Sequence, residues 1–152
     1  MQEDLRARAA TVELRVVPGD DPQAVEAMGR YFAELAEAFG FDPAGAGHDG
    51  PFVVALERGA PVAGGGVRTL DDGHAEVKRM WVDPALRGSG LGRRLLARLE
   101  RLAAETGHDR AVLDTNAALT AAVALYDRAG WSRIPRYNDN PYAEVWFEKR
   151  LR

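Results

Sequence analysis

The chain has 152 residues, 46% hydrophobic and 28% charged, with a formal net charge of −3. That length points to one domain with a sizeable core, and the slightly acidic balance gives no reason for attraction to nucleic acid or an anionic membrane. The absence of cysteine excludes disulfides, thiolate metal sites and a cysteine nucleophile and suits a cytoplasmic chain, and no apolar run approaches the roughly twenty residues of a membrane span.

Residues 1–10, MQEDLRARAA, lack the apolar core of a secretion signal. They read as a frayed N-terminal extension ahead of a domain covering 11–152. Val12, Leu14 and Val16 alternate with Glu13 and Arg15, the pattern of a strand with one buried face. Asp20-Asp21-Pro22 then predicts a helix start, with an aspartate cap and proline in the first turn. Val25, Met28, Phe32, Leu35 and Phe39 form its apolar stripe, and Gly40 ends it. Residues 42–51 are rich in Gly, Ala and Pro and read as a loop. Strands follow at 52–57 and 61–70 around the turn Arg58-Gly59. Gly64-Gly65-Gly66 inside the second predicts a bulge or a close backbone approach. Asp71-Asp72-Gly73 turns the chain into the next strand.

The densest signal is 75–102, AEVKRMWVDPALRGSGLGRRLLARLERL. A strand over 75–82 ends at Asp83-Pro84, because proline lacks an N–H and restricts its predecessor. After Arg87-Gly88-Ser89-Gly90-Leu91-Gly92, leucines at 91, 95, 96, 99 and 102 fall at helical spacing. Glycine inside a helix costs about 1 kcal/mol relative to alanine, so glycines at a helix start suggest bare backbone approaching an anion. The spacing is neither that of a P-loop nor G-x-G-x-x-G. Further on, Gly107 is a stop, 110–115 a strand, and 117–129 a helix capped by Thr115 or Asn116 and ended by Gly130. Residues 131–134 form a short strand, 135–141 a polar loop and 143–149 a final strand.

R-x-x-G-x-G behind a strand ending V-D-P, and ahead of a leucine-periodic helix, resembles the acetyl-CoA signature of the GNAT superfamily of N-acetyltransferases. The bare motif is weak; its setting makes it specific. The order of elements is similar to a GNAT domain from residue 12 to about 150, with specific motifs in 75–96, 110–131 and 137–149. The resemblance implies an α/β fold. A single domain would hold a mixed, twisted sheet of six to seven strands flanked by helices and splayed after the central strand.

It also implies acetyl-CoA as co-substrate. The amides of Arg87, Gly88, Ser89, Gly90, Leu91 and Gly92 would cradle the pyrophosphate, with a hydroxyl from Ser89 and charge from Arg87 and Arg93; Arg94 stays open. Pantetheine would add alongside Met80, Trp81 and Val82 through the main chain, with Asn116 reaching it from the neighbouring strand. Tyr126, in A-x-x-x-Y-D-R-A-G-W, matches the family's tyrosine near the CoA sulfur. A phenol pKa of about 10 against a thiol's 8.5 makes full proton transfer uphill, so a hydrogen bond to the thiolate is the readier role. Leu119 stands where many members carry asparagine.

The acceptor ammonium, pKa about 10.4, needs a base or water relay, and Glu76 is the candidate base. YNDNPYAEVWFEK resembles a bacterial subgroup of the family, so Asn138, Asp139, Asn140 and Tyr142 are expected to line the acceptor site. Each residue also has a structural reading: solvated helix face for the arginines, Glu34 and Glu37, core for Trp81 and Tyr126, a surface ion pair for Glu76, a polar loop for 138–142. The expected reaction is direct attack of a small amine on the thioester. The rivals are a non-catalytic acyl-CoA-binding or sensing domain and a protein or peptide N-acetyltransferase. No nucleic acid, membrane or metal is expected, since His48, His74 and His108 are isolated. Dimers are common among similar proteins, which leaves a homodimer open.

Overall fold

Apolar spacing and burial coincide along the long helices of the computed structural model, which describes residues 2–40 and 47–152. Of the expected 42–51 loop, residues 42–46 lie outside the described part. Helix α2 (Pro22–Phe39) begins where the Asp21 side chain accepts from the Gln23 N–H and ends at Gly40, whose φ of 69° suits a glycine. It buries Ala24, Ala27, Met28 and Phe32, whereas Val25, expected in the stripe, is 53% exposed. Helix α3 (Leu91–Glu105) buries Leu91, Leu95, Leu96, Leu99 and Leu102 as its spacing requires.

The strands are β1 (Glu13–Pro18), β2 (Pro51–Glu57), β3 (Ala60–Thr69), β4 (Ala75–Val82), β5 (Arg110–Thr115), β6 (Ser132–Ile134) and β7 (Val145–Arg150). They form a seven-stranded sheet among the described residues, in the order β1-β2-β3-β4-β5-β7-β6. Neighbours are antiparallel except β4 and β5, which are parallel. The sheet separates two layers of core: Val53 and Ala55 face the α3 side, and Phe52, Val54 and Leu56 face α2. β2 therefore reads as an unbroken apolar run, because both its faces are covered.

The triple glycine in β3 is a site of close approach. A Cβ at Gly65 would sit 2.7 Å from Leu99 Cδ1, and one at Gly66 would sit 2.5 Å from the His48 ring. The bulge lies in the facing strand. Gly64 pairs with Trp81 and Gly66 with Lys78, so the extra residue belongs to β4, where Arg79 takes a φ of 60°. The glycines let neighbours press in, and β4 absorbs the irregularity.

Parallel β4 and β5 pair only at Ala75–Ala111 and Glu76–Val112, while β5 goes on pairing with β7 to Thr115. Beyond Glu76 the two strands diverge, which is the expected splay after the central strand. The N-terminal residues, expected to fray, form helix α1 (Gln2–Ala10) with Ala9 buried. Arg94 ties it down by donating to the carbonyls of Ala9 and Val12 at 2.8 and 3.0 Å. Helix α4 is shorter than expected, Thr120–Arg128, with Leu119 at its cap position. The Asn116 side chain instead closes a local turn by accepting from the Ala118 N–H.

Candidate active site

Loop 87–92 is shaped by glycines in left-handed conformation: Gly88 has φ 79° and Gly90 φ 89°. A Cβ at either would meet nothing within 4 Å, so the loop's outer face is open. The N–H groups of Gly92 and Arg93, in the first turn of α3, have no preceding intrahelical carbonyl and carry the positive end of the helix dipole. Main chain and dipole together make a concavity suited to an anion.

Side chains around the loop are engaged differently from expectation. Arg87 forms a forked pair with Glu34 of α2 (2.8 and 2.6 Å) and donates from Nε to the Val82 carbonyl. Glu34 also accepts from Trp81 Nε1, so it bridges α2 to the loop and is not merely a solvated face. Glu37 is exposed. The Ser89 hydroxyl is buried; it donates to the Leu86 carbonyl and accepts from the Leu91 N–H, holding the loop's shape from inside. Arg93 is exposed, and no described residue engages its guanidinium.

The splay between β4 and β5 opens a cleft whose enclosed part is about 90 Å³, lined among others by Met80, Asp114, Leu119 and Tyr126. Tyr126 is 6% exposed, its ring against Trp131 and Phe147 and its hydroxyl 3.7 Å from Met80 Sδ. Burial pushes its phenol pKa well above the ordinary 10. The group therefore stays protonated and is a hydrogen-bond donor rather than a ready acid. Trp81 is buried in the α2 core, as its structural reading required. Val82 gives its carbonyl to Arg87.

The far wall is built around Asp114, at the end of β5. Its carboxylate accepts from Asn138 Nδ2 (2.5 Å) and Asn140 Nδ2 (3.2 Å). Neither amide is free to flip. Asn138 Oδ1 accepts from Trp146 Nε1 at 2.9 Å, and Asn140 Oδ1 from the Tyr142 N–H at 3.0 Å. Opposite lie Tyr31, Leu35 and Phe39 of α2, together with Arg79. Burial raises the Tyr31 pKa to about 12 and lowers that of Arg79.

Of the expected acceptor residues, Asn140 and Tyr142 line the cleft, Asn138 stands behind Asp114, and Asp139 is exposed. Asn116 lines the cleft but spends its amide on the Tyr142 carbonyl. Glu76 is fully buried outside the cleft wall; it accepts from Arg68 Nε (2.6 Å) and the Tyr137 hydroxyl (2.5 Å), with Lys78 Nζ 3.9 Å away. Burial and the Glu76 hydrogen bond drive the Tyr137 pKa upward. Sequence reasoning missed Asp114 as a wall residue, along with Arg79 and Tyr31. The one available signal was Asp114 at a strand end. Among the described residues no group of three or more His, Asp or Glu is placed to hold a metal, and no helix is long and apolar enough to cross a membrane.

The model of the Acetyltransferase (GNAT) family matches residues 13–131. The chain is 33% identical over 121 residues to the IAA acetyltransferase of Azospirillum brasilense, covering 72% of this chain and 75% of that one. It spans 51% and 30% of the length of two other curated relatives. Its fold superposes on a GNAT-family acetyltransferase from Staphylococcus aureus with a TM-score of 0.75, at 17% identity and over 92% and 100% of the two chains. It also superposes on YncA from Salmonella typhimurium, solved with its cofactor acetyl-CoA, with a TM-score of 0.65 at 20% identity over 93% and 95%.

Proposed function

The chain belongs to the GNAT acetyltransferase family, and from that premise we propose that it moves an acetyl group from acetyl-CoA to the amine of a small metabolite. The observation that carries this reading is the continuity of loop, splay and cleft. An open glycine concavity leads along an unpaired strand edge to a tyrosine hydroxyl facing a small polar wall.

In this reading the amides of loop 87–92 and the Arg93 guanidinium hold the diphosphate, while Arg87 and Ser89 keep the loop in shape. The main chain of Met80, Trp81 and Val82, on the edge that β5 leaves free, aligns the pantetheine arm. The coenzyme supplies an activated acetyl thioester. Residues of the far wall, Asn140 and Tyr142 among them, position the acceptor. The amine lone pair attacks the carbonyl carbon, an N–H proton leaves to water, and the C–S electron pair departs on sulfur. Tyr126 donates a hydrogen bond to that sulfur. Glu76, shielded by Arg68 and Tyr137, anchors the Tyr137 hydroxyl rather than serving as the base.

The test is thiol release from acetyl-CoA with a panel of amines, with the N-acetyl product identified by mass. Tyr126→Phe should retain acetyl-CoA affinity and lose about ten- to a hundredfold in kcat, the scale of one hydrogen bond to a charged group. If acetyl-CoA binds and no amine is acetylated, the protein is an acyl-CoA-binding domain. If Tyr126→Phe turns over normally, Tyr126 leaves the mechanism.

A further inference from the structure

Two opposite charges share the cleft wall without pairing. Asp114 receives only neutral amide donors, and no described cation lies within ion-pair distance of it. An ionised carboxylate has about four acceptor positions; the two asparagines occupy two, with orientations enforced by Trp146 and Tyr142. Arg79 is the reverse case. Its only described acceptor is the Gly47 carbonyl, at a long 3.4 Å, and its Nε is buried with no partner at all. The guanidinium stacks over Phe32, 5.0 Å from the ring centroid. The neighbouring Lys78 lies by Glu76, which Arg68 already holds, so Arg79 is the cation left over.

The backbone adds to this. Arg79 occupies the β4 bulge with a φ of 60°, a conformation unfavourable for a long side chain and easy for glycine. A strained residue carrying an incompletely paired, half-buried guanidinium implies an absent anion. An amide-pinned carboxylate without a cation implies an absent ammonium. The same cleft is lined from α2 by Tyr31, Leu35 and Phe39.

We infer that the acceptor is a free amino acid with an apolar side chain, its amino group received as ammonium by Asp114 before it gives up a proton to water and attacks, and its carboxylate received by Arg79. This rests on the acetyltransferase reading above and narrows it to a substrate class.

The experiment compares kcat/KM for matched acceptors: leucine or phenylalanine, the corresponding amide, and the amine lacking the carboxylate. The amino acid should exceed the carboxylate-free amine by about a hundredfold. Arg79→Gly, which the positive φ tolerates, should lower kcat/KM for the amino acid about a hundredfold more than for the amine. Asp114→Asn should weaken both, through KM more than kcat. Acetyl-CoA affinity of each variant reports that the fold is intact.

Equal rates for amino acid and amine, or an Arg79→Gly variant that loses both alike, would overturn the assignment and leave the transferase reading in place. Failure of every amine to release thiol would defeat the transferase reading instead. Calorimetry of phenylalanine on the CoA-loaded protein would then decide the acceptor class: binding abolished by Arg79→Gly supports it, and no binding rejects it.

Discussion

The glycine loop and the polar wall around Asp114, proposed to hold the coenzyme and the acceptor, are built in opposite ways. Residues 87–92 are consecutive, their conformation comes from glycine φ values, and the groups they present are main-chain amides. The wall proposed for the acceptor collects side chains from α2, β4, β5 and the stretch before β7, segments far apart in sequence. In the loop, side chains such as Arg87 and Ser89 turn inward to hold the backbone. In the wall, backbone irregularity at Arg79 turns a side chain outward. A site made of backbone tolerates exchange of most residues but not its glycines. One made of side chains depends on each partner's partner.

The largest expected effect tests the first half of that contrast. Gly90→Val forces a β-branched residue to φ 89°, which strains or flips the loop. Because a Cβ there meets nothing within 4 Å, the fold should survive. Acetyl-CoA affinity should fall about a hundredfold or more by calorimetry, about 3 kcal/mol; near-normal affinity would show that main-chain shape is not what binds.

Next comes the dependence on partners. Asn138→Ala takes from Trp146 Nε1 its hydrogen bond and from Asp114 one of the two it accepts. The acceptor KM should rise about five- to tenfold, roughly 1 kcal/mol, with acetyl-CoA affinity unchanged. A loss shared equally by both substrates would dissolve the distinction between the two regions.

A smaller effect separates the loop's arginines. Arg93→Ala should weaken acetyl-CoA about three- to tenfold, less so at high salt, because an exposed cation on a phosphate is screened. Arg87→Ala should change affinity about twofold at most, since the pair it loses with Glu34 is half exposed.

The smallest concerns His48, which lies between Phe52 and the β3 glycines. Burial lowers its pKa below 6.5, with Arg79 and Arg68 adding to the shift against the carbonyls of Val67 and Pro51. The unfolded chain then binds more protons than the folded one as pH falls below about 6.5, so stability drops in that direction. Thermal melts between pH 7.5 and 5 should show a slope that His48→Asn flattens.

The same contrast explains what could be read in advance. The order of elements and the leucine-lined helix follow from local signals, alternation in β1 and leucine spacing in α3, while the splay was expected only from the resemblance carried by the glycines after V-D-P. Of the two readings open for the β3 glycines, the structure shows close approach at the glycines themselves, while the extra residue facing them sits in β4. Glu76 looked available at the start of a strand; only the fold brings Arg68 and Tyr137 onto it. Asp114 needed Asn138 and Asn140, 24 and 26 residues further along, to become part of a site. Helix α1 carried no apolar stripe to announce it; its hold comes from Arg94 reaching back across 85 residues.

That helix has a practical side. Gln2 Nε2 donates to the Gly88 carbonyl at 3.0 Å, so the extreme amino end touches the loop proposed to grip coenzyme. A purification tag fused there would tug on Gly88 directly, whereas one appended after Arg152 would not. Dissociation constants taken from the two fusions should disagree, and the carboxy-terminal version is the one to bring to the bench.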